Sequence, residues 1–253
     1  MSVFLSGFAT LVEHFADLLQ PLFQGGATAV AIILFTACVR LAVHPLSRAA
    51  ARGQKARTKL SPQIAALRKK HSKNPERLQK AIMELHKKEQ VSPLAGCLPS
   101  LLQIPAFFLM YHLFSSREIG GEPNELLGHS LGAAPLGDRW KDALADGGIF
   151  GGAGLVYVAL FAIVVAVATF NYRRTKRQMA AMPMPAAGAD GQQVPGMGAM
   201  TKLMPLLSFA TLITVGVVPL AAALYVVTST TWTAVERAFL YRDVPAGALA
   251  TAA

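Results

Sequence analysis

Apolar residues occur in this chain as long blocks separated by short polar and basic stretches, the pattern of a helical protein that crosses a membrane several times. The block that organises the rest is Ala27 to Leu46, ATAVAIILFTACVRLAVHPL. At 1.5 Å rise per residue it covers roughly 30 Å, the thickness of a bilayer's hydrocarbon core. Arg40 lies inside it, roughly 20 Å from one face and 10 Å from the other. Holding a guanidinium at that depth costs at least about 2.5–3.5 kcal/mol on insertion scales. Two readings meet the cost. Either Arg40 snorkels to the nearer interface or pairs with an acid, or it lines a wet cavity where polar groups are handled inside the membrane.

Residues 1–26 read as an amphipathic helix and a turn. Phe4, Leu5, Phe8, Leu11, Val12, Phe15, Leu18 and Leu19 share one broad face, against Glu13, His14 and Asp17. With no basic n-region and no small-residue cleavage site, the segment is expected to lie on the outer membrane surface rather than to act as a signal peptide. After the first span, 27–46, residues 47–92 are a different material. Basic residues from Arg48 to Lys88 face only Glu76, Glu84 and Glu89, which puts the segment in the cytoplasm. Ser61-Pro62 and Asn74-Pro75 each give a capping residue followed by proline, a helix start. Leu60, Ile64 and Leu67, then Leu78, Ile82 and Leu85, recur at helical spacing. The segment therefore predicts a basic helical hairpin joined near His71–Asn74. Its charges either bind a partner or stay solvated.

The second span is 93–114, where Pro99 and Pro105 predict a kink and Gln103 is a polar residue turned away from lipid. Residues 115–151 carry Arg117, Arg139 and Lys141 against Glu118, Glu122, Glu125, Asp138, Asp142 and Asp146, a composition that suits an external loop. The third span, 152–171, runs into Arg173, Arg174, Lys176 and Arg177, and 172–199 reads as a flexible cytoplasmic linker. Residues 200–239 are too long for one span, and Gly216 and Pro219 break them into a fourth and fifth span with almost no external loop. Arg237 and Arg242 then hold the tail, 240–253, inside. The pattern predicts an all-α integral membrane protein, one five-helix transmembrane bundle with a cytoplasmic amphipathic helical hairpin, its N-terminus outside and its C-terminus in the cytoplasm.

Composition sharpens this picture. Only 15% of the 253 residues are charged and 53% are hydrophobic, far from a soluble domain. The net charge of +10 is segregated into segments between apolar spans, as the positive-inside rule requires, which argues against DNA as a partner. Such segments can also touch anionic lipid or ribosomal RNA. Cys38 and Cys97 lie in or beside spans and read as small buried residues. The six histidines form no HExxH, and neither a CxxC nor a phosphate-binding glycine loop occurs, so no metal, cofactor or catalytic residue is expected.

The stretch SPLAGCLPSLLQIPAFFLMY, Ser92 to Tyr111, resembles the signature of the YidC/Oxa/Alb-type membrane protein insertases. Pro93, Gly96, Cys97, Leu98, Pro99, Gln103, Pro105, Phe107 and Tyr111 match the family pattern, and Ser92 and Met110 depart from it. Thr36, Arg40 and Pro45-Leu46 in the first span, the basic hairpin and the five-span order are similar to that family too, so the resemblance covers about Ala27 to Phe239. In the last span the family's Leu-Tyr-Trp and mid-helix Asn are replaced by LYVVTSTTW, Leu224 to Trp232. The resemblance implies that Arg40 sits in a hydrophilic groove open to cytoplasm and lipid, with Gln103, Thr36, Thr228, Ser229 and Trp232 as further groove residues. It also implies nascent membrane proteins as clients in a bacterial cytoplasmic membrane. The Sec translocon, the ribosome and the signal-recognition-particle receptor join the implied partners, beside membrane lipids.

Each groove residue has a plainer reading as well. Gln103 bonds a neighbouring helix, Thr36, Thr228, Ser229 and Thr230 bond back to their own helix, and Trp232 anchors an interface. The rival function is a small transporter or anion channel with Arg40 as its substrate site. Against it, the spans as read offer no Asp or Glu for proton coupling and no inverted repeat. An intramembrane protease is a second rival, with no Gly-x-Ser-x-Gly stretch or paired intramembrane Asp to support it.

Overall fold

The structure, a computed structural model, describes residues 2–72, 74–89, 98–180 and 203–242. It is dominated by helices: α1 (Ser2–Phe23), α2 (Ala27–Lys70), α3 (Pro75–Lys88), α4 (Leu98–Ser115), a short α5 (Trp140–Ala145), α6 (Gly152–Ala180), α7 (Ala210–Val217) and α8 (Leu220–Leu240). Two small β ladders lie between α4 and α5. Two helical stretches, Ser6–Ala56 and Gly152–Arg177, are long and apolar enough to cross a bilayer. Leu155, Ile163, Val165 and Phe170 on α6 are exposed, a distribution that suits contact with lipid tails rather than water. An all-α membrane protein accounts for both facts. The calls on Pro93, Gly96 and Cys97, on the 181–199 part of the linker and on the tail beyond Arg242 lie outside the described residues.

The chain divides into two compact units. The first takes residues 1–43, 103–169 and 209–235. Ile32 and Phe35 of α2, Leu113 and Phe114 of α4, and Tyr157, Leu160 and Val164 of α6 pack around α8, where every residue from Leu220 to Val227 is buried. A helix end covered on all sides is central to its bundle, and Ala221, Ala222 and Ala223 let neighbouring backbones approach closely. α1 joins this core through Val12 and Ala16 and through the Phe8 ring, 5.9 Å from that of Phe35. Leu11, Leu18 and Leu22 stay exposed along the edge of the broad apolar face whose Val12 and Ala16 are buried.

The loop between α4 and α6 is built rather than slack. Strands β1 (Glu118–Ile119) and β2 (Glu122–Pro123) turn at Gly120 and Gly121, whose φ values of 66° and 93° are the positive pair a tight hairpin turn demands. Buried Asn124 donates its amide to the carbonyls of Leu113 (2.8 Å) and Ser116 (2.9 Å), closing the end of α4. Strands β3 (Ser130–Leu131) and β4 (Ala134–Pro135) then present the next carbonyls to α8. Leu220 N–H donates to Asp138 and Ala221 N–H to Leu136, each at 2.9 Å. Pro219 has no N–H, so these are the first donors α8 can offer, and the loop satisfies both. Tyr157, fully buried, donates its hydroxyl to the same Asp138 carbonyl at 2.6 Å, and its ring packs on Trp140, which also meets Phe161 at 5.3 Å. Burial raises the Asp138 carboxyl above its usual range, and the Asp142 and Asp146 charges add to the rise against the pull of Arg117.

The second unit takes residues 44–102, 170–208 and 236–253. Here the helix start expected at Ser61-Pro62 is corrected. α2 runs unbroken through Pro45 and Pro62 to Lys70. Each proline forfeits one N–H bond, but Ala51, Leu60 and Ile64 remain buried in helical register across the site, so burial overrides the start signal. The second start is as expected: Asn74 caps α3 by accepting from Arg77 N–H at 3.0 Å, with Pro75 in the first turn. Leu78, Ile82 and Leu85 are half-buried, and the lysines around them are exposed. The break expected near Gly216 and Pro219 falls at Val218–Pro219, where Val218 is extended. Ahead of it a 3-10 turn, Met204–Phe209, leads into α7, so the apolar helix from Pro205 to Val217 is shorter than an ordinary span.

The shared carbonyl of Asp138 gives a direct test. Tyr157→Phe removes one donor while keeping the ring, so it should lower unfolding stability by about 1 kcal/mol. Trp140→Ala empties the aromatic contact and should cost about 3 kcal/mol or more. Denaturant or thermal unfolding in detergent, followed by circular dichroism, measures both.

Candidate functional site

Arg40 lies half-buried on α2, and its Nη2 donates to the hydroxyl of Ser229 on α8. Ser229 is itself buried, and Tyr225 stands one turn earlier on the same helix face. The Tyr225 ring is held between Phe107 and Phe114 of α4, at 6.0 and 5.9 Å. The guanidinium therefore meets a hydroxyl backed by aromatic rings, inside a helix that is otherwise apolar. Tyr225 was not among the residues expected from the sequence. Its place four residues before Ser229 was the available signal, since i and i+4 share a helix face.

The other expected site residues divide. Thr36 is buried and donates its hydroxyl to its own helix at Ile32, 2.7 Å away, so its polar group is spent locally. Thr230 and Thr233 do the same, bonding Val226 and Ser229 carbonyls at 2.8 Å each. Thr228 and Trp232 are half-buried on α8. The Trp232 Nε1 and the Thr231 hydroxyl are buried with no partner among the described residues, so the interface-anchor reading leaves the Trp232 N–H unexplained. Gln103 falls on α4, and its side chain lies outside the described residues. The structure thus brings together Arg40 and Ser229, and adds Tyr225.

A second polar pair overturns one count made from the sequence. The spans were read as free of acids, yet Glu236 lies on α8, within 200–239, and its side chain is only 10% exposed. Its Oε1 is 2.6 Å from Nδ1 of His44 on α2, within hydrogen-bond reach. A carboxylate so covered needs a partner, and the histidine supplies one. The argument against proton coupling from a lack of acids falls with that count.

An apolar helical protein with a guanidinium and an acid–histidine pair inside its long helices is a membrane protein built to hold polar groups where lipid excludes them. The model of the 60Kd inner membrane protein family matches residues 19–247. The chain belongs to that family, which confirms the resemblance read from Ser92 to Tyr111. Among similar proteins, the membrane protein insertase YidC of Clostridium perfringens is 38% identical over 116 residues, 46% of this chain and 45% of that protein. The YidC of Polynucleobacter asymbioticus is 36% identical over 122 residues, 48% of this chain and 21% of the relative. That of Pelagibacter ubique is 43% identical over 99 residues, covering 39% and 18%. The chain spans less than half the length of each of these relatives.

The pair on α2 and α8 predicts an asymmetry. His44→Ala leaves Glu236 covered and unpaired and should cost about 1–3 kcal/mol of stability. Glu236→Gln keeps an acceptor for the imidazole and should cost less. Thermal unfolding of the two variants in the same detergent separates them, and a larger loss for Glu236→Gln would contradict the pairing.

Proposed function

We propose that this chain is a membrane protein insertase, which takes polar segments of nascent membrane proteins from the cytoplasm and lets their apolar helices pass into lipid. The observation that carries the reading is the Arg40–Ser229 hydrogen bond. A guanidinium keeps its proton at any depth and the Ser229 hydroxyl is a neutral partner, so a site of this kind attracts water and carboxylates within an apolar helix. The relatives named as insertases support the same class of function. The process makes and breaks no covalent bond. Its driving force is burial of the client's apolar helix, with the membrane potential acting on acidic tails.

In this proposal the bundle has five spans, at 27–46, 93–114, 152–171 and the pair within 200–239, in a bacterial inner membrane. The N-terminus is outside, and the basic hairpin of 47–92 and the tail are in the cytoplasm. Arg40, Ser229, Thr228, Trp232, Gln103 and Thr36 belong to the groove, and Tyr225 joins them. Clients arrive from the ribosome, through the signal-recognition-particle receptor or beside the Sec translocon. The topology has a simple test in a Cys38→Ser, Cys97→Ser background. Ser130→Cys should react with an impermeant thiol reagent in intact cells and Ser72→Cys should not; labelling at Ser72 would overturn the orientation.

A transporter is the second reading, and the His44–Glu236 pair is what favours it, because acid–histidine pairs relay protons in transporters. Substitution of Arg40 separates the two. Arg40→Ala should accumulate to normal level, since Ser229 can turn its hydroxyl onto its own helix as Thr230 and Thr233 do. The variant should lose insertion of clients with short acidic tails and retain most insertion of clients with neutral tails. Arg40→Lys should keep part of the activity, because an ammonium also draws water and carboxylates but lacks the bidentate fork. Insertion of a tail-charge series, measured beside protein abundance, reads all three. Normal insertion of acidic-tailed clients by stable Arg40→Ala protein would sink the groove arginine, and proton-coupled solute flux without client insertion would establish the transporter.

A further inference from the structure

The end of α6 and the end of α8 hold a polar cluster that the insertase reading does not use. Arg174, half-buried on α6, places its guanidinium carbon 5.7 Å from the ring centroid of Tyr241, just past the end of α8. Arg237, one turn before Tyr241, is near enough to repel Arg174 electrostatically. Its carbonyl accepts the Tyr241 N–H at 3.2 Å, which fixes the phenol on the same side of the chain. Burial pushes the Tyr241 phenol up, Arg237 and Arg174 pull it back, and the Glu236 carboxylate adds to the rise. Two guanidiniums and a phenol therefore converge from two helices. Neither arginine makes an ion pair among the described residues, and the carboxylate of Glu236 beside them is already taken by His44.

Two guanidiniums against the single carboxylate of Glu236 leave net positive charge at the cluster, which an anion can take up. Depth identifies the anion. Arg174 stands 22 residues after Gly152, the first residue of α6, about 33 Å along a helix that rises 1.5 Å per residue. Tyr241 stands 21 residues after Leu220, about 31 Å along α8. Both distances match the thickness of the hydrocarbon core, so the cluster lies at headgroup level. Tyr172 on α6, with Lys176 5.9 Å from its ring, adds an aromatic of the kind that sits at that level.

We propose that Arg174, Arg237 and Tyr241 bind the phosphodiester headgroup of one anionic phospholipid from the leaflet at this end of the two helices. The planar forks of the two arginines suit two phosphate oxygens, and the Tyr241 hydroxyl supplies a further donor. A net negative headgroup is favoured over a zwitterionic one, because a choline cation would be repelled by the same pair of arginines. The site does not depend on Arg40 and stands or falls apart from the insertase reading.

The test is lipid binding to the purified full chain in mild detergent, followed by native mass spectrometry. Phosphatidylglycerol should occupy one saturable site and phosphatidylcholine should not. Arg174→Gln with Arg237→Gln should weaken phosphatidylglycerol binding about thirtyfold, from about 1 kcal/mol per arginine. Arg173→Gln with Arg177→Gln removes the same charge from exposed positions of α6 and should weaken it no more than about twofold. Tyr241→Phe keeps the ring under Arg174 and should weaken binding about threefold without loss of fold, which preserves the test if the double variant is unstable. Equal losses in the two arginine pairs, equal binding of both lipids, or displacement of phosphatidylglycerol by millimolar inorganic phosphate or a short RNA would overturn the proposal.

Discussion

Everything in this molecule depends on one constraint: a polar group inside an apolar helix must find its partner within the protein. Arg40 meets it through the Ser229 hydroxyl, and Glu236 meets it through His44. Thr230 and Thr233 of α8 meet it by turning onto their own helix. The same constraint explains the loop between α4 and α6. Pro219 opens α8 without an N–H, and the Leu136 and Asp138 carbonyls take the next two donors, so the start of a buried helix is never left unsatisfied. Asn124 does the corresponding work for the end of α4. What the sequence presents as an acidic loop is, in the first unit, the part that completes two helix ends.

The long apolar helices within Ser6–Ala56 and Gly152–Arg177 were legible because hydrophobic blocks carry their own signal. Asn74-Pro75 and Val218–Pro219 mark real helix boundaries for the reasons read from sequence, a capping side chain in one and a missing N–H in the other. Ser61-Pro62 shows where local chemistry was overruled. The same capping pattern occurs there, yet Leu60 and Ile64 bury on either side of Pro62, and packing holds the helix together. Which part of the broad apolar face of α1 is covered was not legible either, because a periodicity shows which residues share a face but not which of them another helix will cover.

The candidate site was half legible. Arg40 announces itself as a charge in an apolar block, and Ser229 as a hydroxyl in the last span. Tyr225 is hidden by its chemistry, since a tyrosine among alanines and valines reads as core, and it is indeed buried, one turn before Ser229. Glu236 was overlooked for another reason: the basic residues that follow it draw the eye to the helix end, although one more helical turn keeps it covered. Its partner is His44, on α2. Family membership rests on the match over residues 19–247, and the insertase function proposed here gives these polar pairs a use.

The most direct test of that function is reconstitution. The purified chain would be placed in liposomes and presented with a single-span client bearing a short acidic tail, and tail translocation would be read as protection from added protease. An insertase predicts a protected tail only where the chain is present, with protection rising with its density in the membrane. Protection no greater than in empty liposomes, with the chain folded and membrane-embedded, would contradict the account.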